Sequence, residues 1–286
     1  MSISFLIPHH SYETERVKEE LLNLQVKNIE IYTWNSIKYP LAKFPAVLWV
    51  RFSPKIPIIY QLASIEEFEE NGTCVVNSKD AIEKCDKMSS YLFWKRNLQN
   101  DFRMPKTIIT RNIKHAVKFI QEYDCVFKPI DLGLGQGIQR LQNDSKLKIT
   151  LQLLLNNYGL LFLQEFISNP GYDIRAIVID QENVIEYARE NPEDFRYNVN
   201  LGGKIKALNT LKNIKSTLLQ NIQEIALTIT RRTKLDMLGI DFLISEKQEI
   251  FVLEWNAFFN FQGVEKTLEI NIAKRIALLL NKLTSS

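Results

Sequence analysis

Short runs of apolar residues recur over the first quarter of the chain, separated by polar or proline-containing segments. The runs at Ile3–Ile7, Ile29–Trp34 and Ala46–Phe52 predict strands. Ser11 precedes a helical spacing of apolar residues over Tyr12–Gln25, where it can serve as the N-cap. Strand and helix therefore alternate, which is typical of a small parallel α/β layer.

The remainder of the chain mixes longer helical patterns with strand pairs. The apolar spacing predicts further helices, at Ile58–Asn71, from Ser78 to about Leu98, after Thr110, and at Lys146–Asn157, Leu211–Leu235 and Asn271–Leu283. Short apolar runs predict strands at Thr73–Val76, Tyr123–Pro129 and Leu160–Ile167. From these changes in the pattern of helices and strands we predict an N-terminal α/β domain over residues 1–77, a central subdomain over 78–145 and a C-terminal subdomain over 146–286.

Two stretches have the alternation and polar turns of β-hairpins. Ile174–Ile179 and Val184–Arg189 flank one such turn, and the first strand carries Asp173 and Arg175 on one face. The second hairpin joins Asp241–Ile244 to Ile250–Trp255.

The second hairpin gathers oxygen-bearing side chains at one end. Asp241 is expected opposite Leu253 or Glu254, and Glu254 shares a face with Asn256 because the two are two residues apart. Facing carboxylates repel, and a bound Mg²⁺ would remove that cost by accepting carboxylate and amide oxygens. The alternative is a hairpin whose acids are simply solvated.

Composition limits the classes of function without selecting one. The chain has 286 residues, 45% apolar and 24% charged, with a net charge of +3, as in an ordinary intracellular globular protein. No Lys/Arg run suggests nucleic acid, and no apolar run reaches transmembrane length. Three cysteines at spacings typical of no metal or disulfide motif favour a reducing, cytoplasmic setting.

A glycine-rich stretch, DLGLGQGIQRL at Asp131–Leu141, has glycines at positions 133, 135 and 137. It is not a Walker A loop, since no Gly-Lys-Ser/Thr follows, and it lacks the third glycine of a dinucleotide fingerprint. Apolar residues resume after it, which predicts a hairpin loop whose backbone N–H groups could approach phosphate oxygens. A flexible surface hairpin is the alternative.

Charged residues also recur among apolar strands, where unpaired charges are costly. The charged residues are Lys87, Lys128, Glu165, Asp173 with Arg175, Arg189 and Arg196, and the amides Gln164 and Asn198 lie among them. Cations opposite an acid cluster, with a glycine loop between them, are typical of a phosphate clamp.

In this order and spacing the sequence resembles the RimK-like branch of the ATP-grasp carboxylate–amine ligases. The matching stretches are VFKPIDLGLGQGI, LQEFISNPGYDIRAIVI, DFRYNVNLGG, LGIDFL and FVLEWNAFFNFQGVEKTLEINIA. The resemblance covers Lys87 to the C-terminus, and residues 1–77 resemble the family's preceding domain more loosely. It implies an α/β (α+β) class: an ATP-grasp fold behind an N-terminal α/β pre-ATP-grasp domain.

The resemblance also implies roles for individual residues. Lys87 and Lys128 would contact ATP phosphates beneath a loop containing Gly133, Gly135 and Gly137. Gln164 and Glu165 would lie at the adenine and ribose, Asp173 near the nucleotide, and Arg196 with Asn198 at the nucleotide and phosphates. Asp241, Glu254 and Asn256 would hold Mg²⁺. Two Mg²⁺ ions are expected, and Mn²⁺ would be able to substitute for them. Arg189 would stabilise an acyl-phosphate oxyanion, and Arg196 would share in catalysis.

Several positions depart from the family's usual pattern. Trp255 and the pair Phe258-Phe259 stand where relatives have small residues and a proline, and Trp255 is expected to point away from the metal. Arg51, at the end of its predicted strand, and the segment with Asn200, Gly202 and Gly203 are candidates for substrate contact. For Arg51 alone, an ordinary surface arginine is the alternative.

The implied reaction joins a small-molecule or peptide carboxylate to an amine through an acyl phosphate, with glutamate the commonest amine in this branch. The resemblance implies neither a nucleic-acid nor a membrane partner, and relatives are often dimers or tetramers. An ATP-binding pseudo-ligase or nucleotide sensor is the alternative function. A third possibility, a phosphotransferase related to protein kinases, is not favoured because the sequence lacks the protein-kinase signatures.

Overall fold

The structure, a computed structural model, describes residues 2–130, 132–133, 135–211 and 214–285. Its strands are β1 Ile3–Ile7, β2 Ile29–Thr33, β3 Val47–Val50, β4 Cys74–Val76, β5 Thr107–Thr110, β6 Cys125–Phe127, β7 Gln139–Leu141, β8 Leu161–Glu165, β9 Tyr172–Ile179, β10 Asn183–Glu190, β11 Lys204–Lys206, β12 Met237–Ile244 and β13 Ile250–Asn256. Its α-helices are α1 Tyr12–Asn23, α2 Ile58–Glu70, α3 Lys79–Ile82, α4 Lys87–Asn97, α5 Ile113–Glu122, α6 Leu147–Tyr158, α7 Ser216–Thr233, α8 Gln262–Leu268 and α9 Ile272–Leu283. None of the helices in these ranges combines the length and the apolar composition that crossing a membrane requires.

The first sheet has the order β2-β1-β3-β4 with all neighbouring strands parallel, which confirms the predicted parallel layer. Strands β1 and β3 are buried on both faces, as expected for a parallel sheet covered by helices. Helix α1 packs on α9, and Val17 and Leu21 share an apolar core with Ile276 and Leu280. The C-terminal helix therefore helps to form the core of the N-terminal layer.

The second sheet has the order β5-β8-β6-β7 and is antiparallel. Strands β6 and β7 flank the glycine-rich stretch, as the predicted hairpin requires. Helices α5 and α6 cover this sheet around Phe127, Leu151 and Leu163. Since β8 follows residue 145, the sheet draws on both sides of that predicted boundary, and the division into domains stays a prediction.

The third sheet, of order β11-β10-β9-β12-β13, is also antiparallel and carries both predicted hairpins. Alternate residues of β9 face opposite sides, so Ile174 and Ala176 pack toward Ile222 and Ile229 of α7. Asp173 and Arg175 consequently lie on the opposite face. That face contributes to the candidate site.

Some helix boundaries differ from the sequence prediction. The helix predicted from Ser78 to Leu98 is divided into α3 and α4, because the Asp86 carboxylate accepts hydrogen bonds from the backbone of Met88 and Ser89 and caps a new helix. Helix α7 begins at Ser216 rather than Leu211, and Lys212 and Asn213 of the predicted helix lie outside the described residues. Helix α8 was not predicted.

Trp255 of β13 ties the third sheet to the connection between α3 and α4. Its side chain is fully buried, and its indole Nε1 donates to the Lys84 carbonyl oxygen at 2.8 Å. Phe93 of α4 contacts it edge-on, with ring centroids 6.4 Å apart. Trp255 thus points away from Glu254 and Asn256, as the strand alternation predicts.

We expect Trp255→Ala to lower the free energy of unfolding by about 3–5 kcal/mol, because it removes a large buried ring and leaves a cavity. Urea unfolding measures the loss, and Ile149→Ala, at a side chain that is 66% exposed, is the control with a change within about 0.5 kcal/mol. A loss below about 1 kcal/mol in Trp255→Ala would contradict the packing described.

Candidate functional site

The hairpin of β12 and β13 brings the predicted metal ligands together. Asp241 lies directly opposite Glu254, and the register shifts immediately afterwards, so that Phe242 pairs with Val252. Leu253 is the extra residue of this irregularity. Asn256 donates from Nδ2 to Oε1 of Glu254 at 3.3 Å, so their polar ends adjoin on one face of β13.

Asp241 is the meeting point of two buried arginines. Its Oδ1 lies 2.6 Å from Nη1 of Arg175 and 2.9 Å from Nη2 of Arg189. Arg189 also donates to both oxygens of Asp173, with Nε 2.8 Å from Oδ1. The β-sheet register places Arg175 opposite Asp241 and Arg189 opposite Asp173. These four residues are called the charge network below.

The charge network is electrically balanced and almost wholly removed from solvent. Burial opposes ionisation of Asp241, but the guanidinium groups of Arg175 and Arg189 outweigh it and hold the pKa of this carboxyl below its ordinary value. Burial likewise opposes the charge of Arg189, whereas Asp173 and Asp241 keep its pKa well above the usual range. Removing one member of such a pair leaves an uncompensated buried charge, at a cost of about 3–5 kcal/mol.

A cleft opens beside the network, between the second and third sheets. Its empty volume is about 760 Å³, solvent at the mouth included. The predicted site residues that line it are Lys87, Lys128, Gly135, Gln164, Glu165, Asp173, Arg189, Arg196, Asn198, Asp241 and Glu254. The cleft therefore combines cationic, carboxylate and amide groups drawn from separate parts of the chain.

Lys128 is a buried cation of this cleft. Its Nζ donates to Oε1 of Gln164 at 2.6 Å, and the side chain of Gln164 is buried as well. The pKa of the Lys128 amine is lowered to about 8, mainly by burial and in part by nearby Lys87, whereas Glu254 and Asp241 oppose the shift. Glu165 accepts at Oε2 from the backbone N–H of Lys106 at 3.3 Å.

Cationic side chains hold the described part of the glycine loop. Lys87 donates to the Leu132 carbonyl oxygen at 2.5 Å, and Nη1 of Arg196 donates to that of Gly135 at 3.2 Å. A Cβ at Gly135 would lie 2.5 Å from Oδ1 of Asn198, so only glycine permits this approach. Asp131 and Leu134 of the predicted loop lie outside the described residues.

The remaining predicted residues, the metal-ligand candidate Asn256 among them, are not part of the cleft lining. Gly133 and Gly137 are in the glycine loop, where a Cβ at Gly137 would lie 2.8 Å from the Pro129 ring. Asn200 belongs to a short 3-10 helix, and a Cβ at Gly203 would lie 2.1 Å from the Tyr197 carbonyl oxygen. Gly202, with φ 95°, ends that helix.

Arg51 donates hydrogen bonds to the segment that follows β13. Its Nη1 donates to the Phe259 carbonyl oxygen at 3.1 Å and its Nη2 to Oδ1 of Asn260 at 2.7 Å. Burial lowers the pKa of this arginine, while Glu13 opposes the shift. Beside it Phe52 stacks on Phe258, with ring centroids 4.5 Å apart.

Sequence reasoning missed three kinds of residue at the site. Arg175 was noted only for sharing a face with Asp173, and its contact with Asp241 depends on a strand pairing that the pattern does not reveal. Asn191 is buried and donates from Nδ2 to the carbonyl oxygens of Arg196 and Leu201, which fixes the segment between them. The apolar lining includes Ile167, Leu243 and Leu253, which look like ordinary core residues in the sequence.

The donor set at the hairpin fits a hard divalent cation. It comprises two carboxylates and an amide, and hard cations prefer such oxygen ligands. Oδ2 of Asp241 accepts no hydrogen bond from the described residues, although Asp241 lines the cleft. In the same ranges no three His, Cys, Asp or Glu side chains form a cluster able to hold a metal.

Comparison with known proteins agrees with this geometry. A family model described as the RimK-like ATP-grasp domain matches residues 85–280. The tetrahydromethanopterin:alpha-L-glutamate ligase of Methanocaldococcus jannaschii is 30% identical over 71% of this chain and 68% of its own length. The ribosomal protein bS6–L-glutamate ligase of Escherichia fergusonii is 26% identical over 85% of this chain and 79% of its own.

A solved structure has the same fold. The ATP-grasp ligase PsnB, complexed with a phosphomimetic variant of a minimal precursor, Mg and ADP, superposes with a TM-score of 0.75. The two chains are 19% identical, and the match covers 99% of each. These relatives are named as ligases, so the alternative of a pseudo-ligase or nucleotide sensor is not favoured.

With more than half of its length matched by the family model, the chain belongs to the RimK-like ATP-grasp family, and it is an ATP-dependent carboxylate–amine ligase.

Proposed function

We propose that the protein uses MgATP to join the carboxylate of a small molecule or peptide to the amino group of an amino acid, with glutamate as the first candidate. The observation that carries this proposal is the single cleft in which Lys87 and Lys128 share the lining with Asp241 and Glu254. Relatives named as glutamate ligases support the choice of amine.

The nucleotide would occupy the cleft between the second and third sheets. Lys87 and Lys128 contact the phosphates, and the loop with Gly133, Gly135 and Gly137 closes over them. Gln164 and Glu165 lie at the adenine and ribose, with Asp173 nearby. Arg196 and Asn198 complete the phosphate side, which their contacts with Gly135 support.

Asp241, Glu254 and Asn256 would hold Mg²⁺, which neutralises phosphate charge when bound. We expect two ions and substitution by Mn²⁺. The charge network keeps Asp241 ionised before any cation arrives. Glu254 and Asn256 are already adjacent on β13, which limits the reorganisation that binding requires.

The reaction has two steps. A carboxylate oxygen attacks the γ-phosphorus of ATP, the bond to the bridging oxygen breaks, and ADP leaves. The nitrogen of the neutral amine then attacks the acyl carbon, a C–N bond forms, and phosphate and a proton are released. Arg189 stabilises charge on the acyl-phosphate oxygen, assisted by Arg196, while the cleft excludes water.

The substrate side of the proposal rests on Arg51, Asn200, Gly202 and Gly203. Arg51 and its partners Phe259 and Asn260 follow the metal-ligand strand, where the sequence departs from its relatives. A cytoplasmic location and a homodimer or homotetramer remain part of the proposal. The three cysteines, free thiols in the structure, are compatible with a reducing compartment.

We expect Asp241→Asn and Glu254→Gln each to reduce amide formation by about 100-fold or more, because each removes a charged ligand of the cation. Purified protein is incubated with MgATP, amino acids and a metabolite extract, while ADP release and new product masses are recorded. Glu246→Gln, at an exposed acid on the turn of the same hairpin, is the matched control and keeps wild-type rates. Near-normal turnover in the two site variants would refute the metal assignment.

Because the pKa of Lys128 is lowered, we expect the affinity for ATP to depend on pH. Phosphates favour the charged amine, so binding raises a pKa that is about 8 in the free protein. At pH values between the pKa of Lys128 in the free protein and its higher pKa in the ATP complex, each further pH unit weakens ATP binding by about tenfold. Titration of ATP in EDTA from pH 7 to 9.5 measures this slope, and Lys128→Met, neutral throughout, is expected to bind weakly with a flat profile. A parallel decline in wild type and variant would contradict the role of Lys128.

Arg51→Ala should raise the KM of the carboxylate or amine by about tenfold, and that of ATP by less, since a charged hydrogen-bond donor on the substrate side is lost. Steady-state kinetics with each substrate varied in turn measures the difference. Arg103→Ala removes an exposed arginine paired with Glu249 and serves as the control. A larger effect on ATP than on the other substrates would argue against substrate contact by Arg51.

A further inference from the structure

We propose that Arg175 is a positioning residue for the metal site: it holds one oxygen of Asp241 so that the other is presented to the cleft. This inference rests on the proposed function, since it assigns Asp241 to the cation. Arg175 itself is absent from the cleft lining, whereas Asp241, Asp173 and Arg189 are all part of it. Its influence on the reaction is therefore exerted through Asp241.

The fold fixes this contact from the backbone. Arg175 on β9 lies directly opposite Asp241 on β12, and the arginine side chain is buried, with 8% of its surface exposed. Its Nη1 donates to Oδ1 of Asp241 at 2.6 Å. A planar guanidinium held at this distance restricts rotation of the carboxylate. Oδ2 accepts no hydrogen bond from the described residues, so it is the oxygen available to a cation in the cleft that Asp241 lines.

Gly239 is the second, independent sign that this contact is built into the site. It lies on β12 two residues before Asp241 and thus on the same face of the strand. A Cβ there would lie 2.4 Å from Nη2 and 2.7 Å from Nε of Arg175. Glycine weakens a strand interior, and its presence marks the close approach of the guanidinium.

The two arginines of the charge network both contact Asp241 but differ in the number of acids that they pair with. Arg189 donates through Nε and Nη2 to both oxygens of Asp173 and reaches Asp241 with Nη2 as well. Arg175 has Asp241 as its ion-pair partner among the described residues. Arg189 is therefore shared between two acids, and Arg175 is dedicated to orienting the metal ligand. Such supporting contacts around a metal ligand are worth about 10- to 100-fold in metal affinity.

Two substitutions separate orientation from charge. Arg175→Lys keeps the positive charge but loses the planar fork, and Gly239→Ala displaces the guanidinium without changing any charge. Arg175→Met removes the charge as well and is expected to be the most severe. Ile179→Val, at a buried position on the same face of β9, is the matched control.

The experiment titrates a non-hydrolysable ATP analogue with and without Mg²⁺, and the ratio of the two affinities gives the Mg²⁺ enhancement. We expect Arg175→Lys and Gly239→Ala to lower that enhancement by about 10- to 100-fold, while affinity without metal stays within about twofold of wild type. Arg175→Lys should lose less than Arg175→Met, and Ile179→Val should match wild type. Cooperative thermal unfolding of each variant confirms that the binding data refer to folded protein.

Enhancement at the wild-type level in both Arg175→Lys and Gly239→Ala would overturn the inference and leave the proposed function intact. An equal loss of affinity with and without Mg²⁺ would also overturn it, because that pattern reflects a general structural role. A wild-type protein without any Mg²⁺ enhancement would instead refute the proposed function, and the inference with it.

Discussion

The candidate site depends on the buried pairing of Asp173, Arg175, Arg189 and Asp241. Two acids and two arginines lie on three adjacent strands, where isolated charges would be strongly destabilising. Each is tolerated because the β-sheet register places an opposite charge directly across from it. The network thereby keeps an ionised carboxylate at the edge of the cleft, and β13 supplies Glu254 and Asn256 beside it. The proposed cation site would therefore need little rearrangement when MgATP enters.

The remainder of the cleft is assembled around that edge. Lys128 is buried against Gln164 on the second sheet, and Arg196 reaches across to the glycine loop from the third. Trp255 anchors the reverse face of β13 to the connection between α3 and α4. Phe258 stacks on Phe52 next to Arg51. The aromatic residues that stand where the family usually has small residues and a proline are therefore structural in part.

Local pattern was sufficient to predict much of this architecture. Alternation and polar turns identified both hairpins and placed Glu254 with Asn256 on one face and Trp255 on the other. They left Asp241 opposite either Leu253 or Glu254, and the register of the structure selects Glu254. Long-range pairing was not accessible in the same way. Nothing in the residue pattern of β9 and β12 indicates that Arg175 lies opposite Asp241. Likewise, the sequence does not indicate that β8 lies between β5 and β6 in the second sheet. The apolar spacing predicted one continuous helix around Asp86, but the Asp86 side chain caps a new helix there and so divides the predicted helix in two. Leu243 and Leu253 line the cleft but have the same sequence signature as core residues.

We propose that Asp241, Glu254 and Asn256 bind a divalent cation while the arginines retain their hold on Asp241. A crystal structure with Mn²⁺ and a non-hydrolysable ATP analogue, recorded at the manganese absorption edge, tests this arrangement. We expect an anomalous peak bounded by these three side chains and the nucleotide phosphates, with Arg175 still on Oδ1 of Asp241. A peak elsewhere in the cleft, or a nucleotide bound with no manganese at the hairpin, would contradict the account.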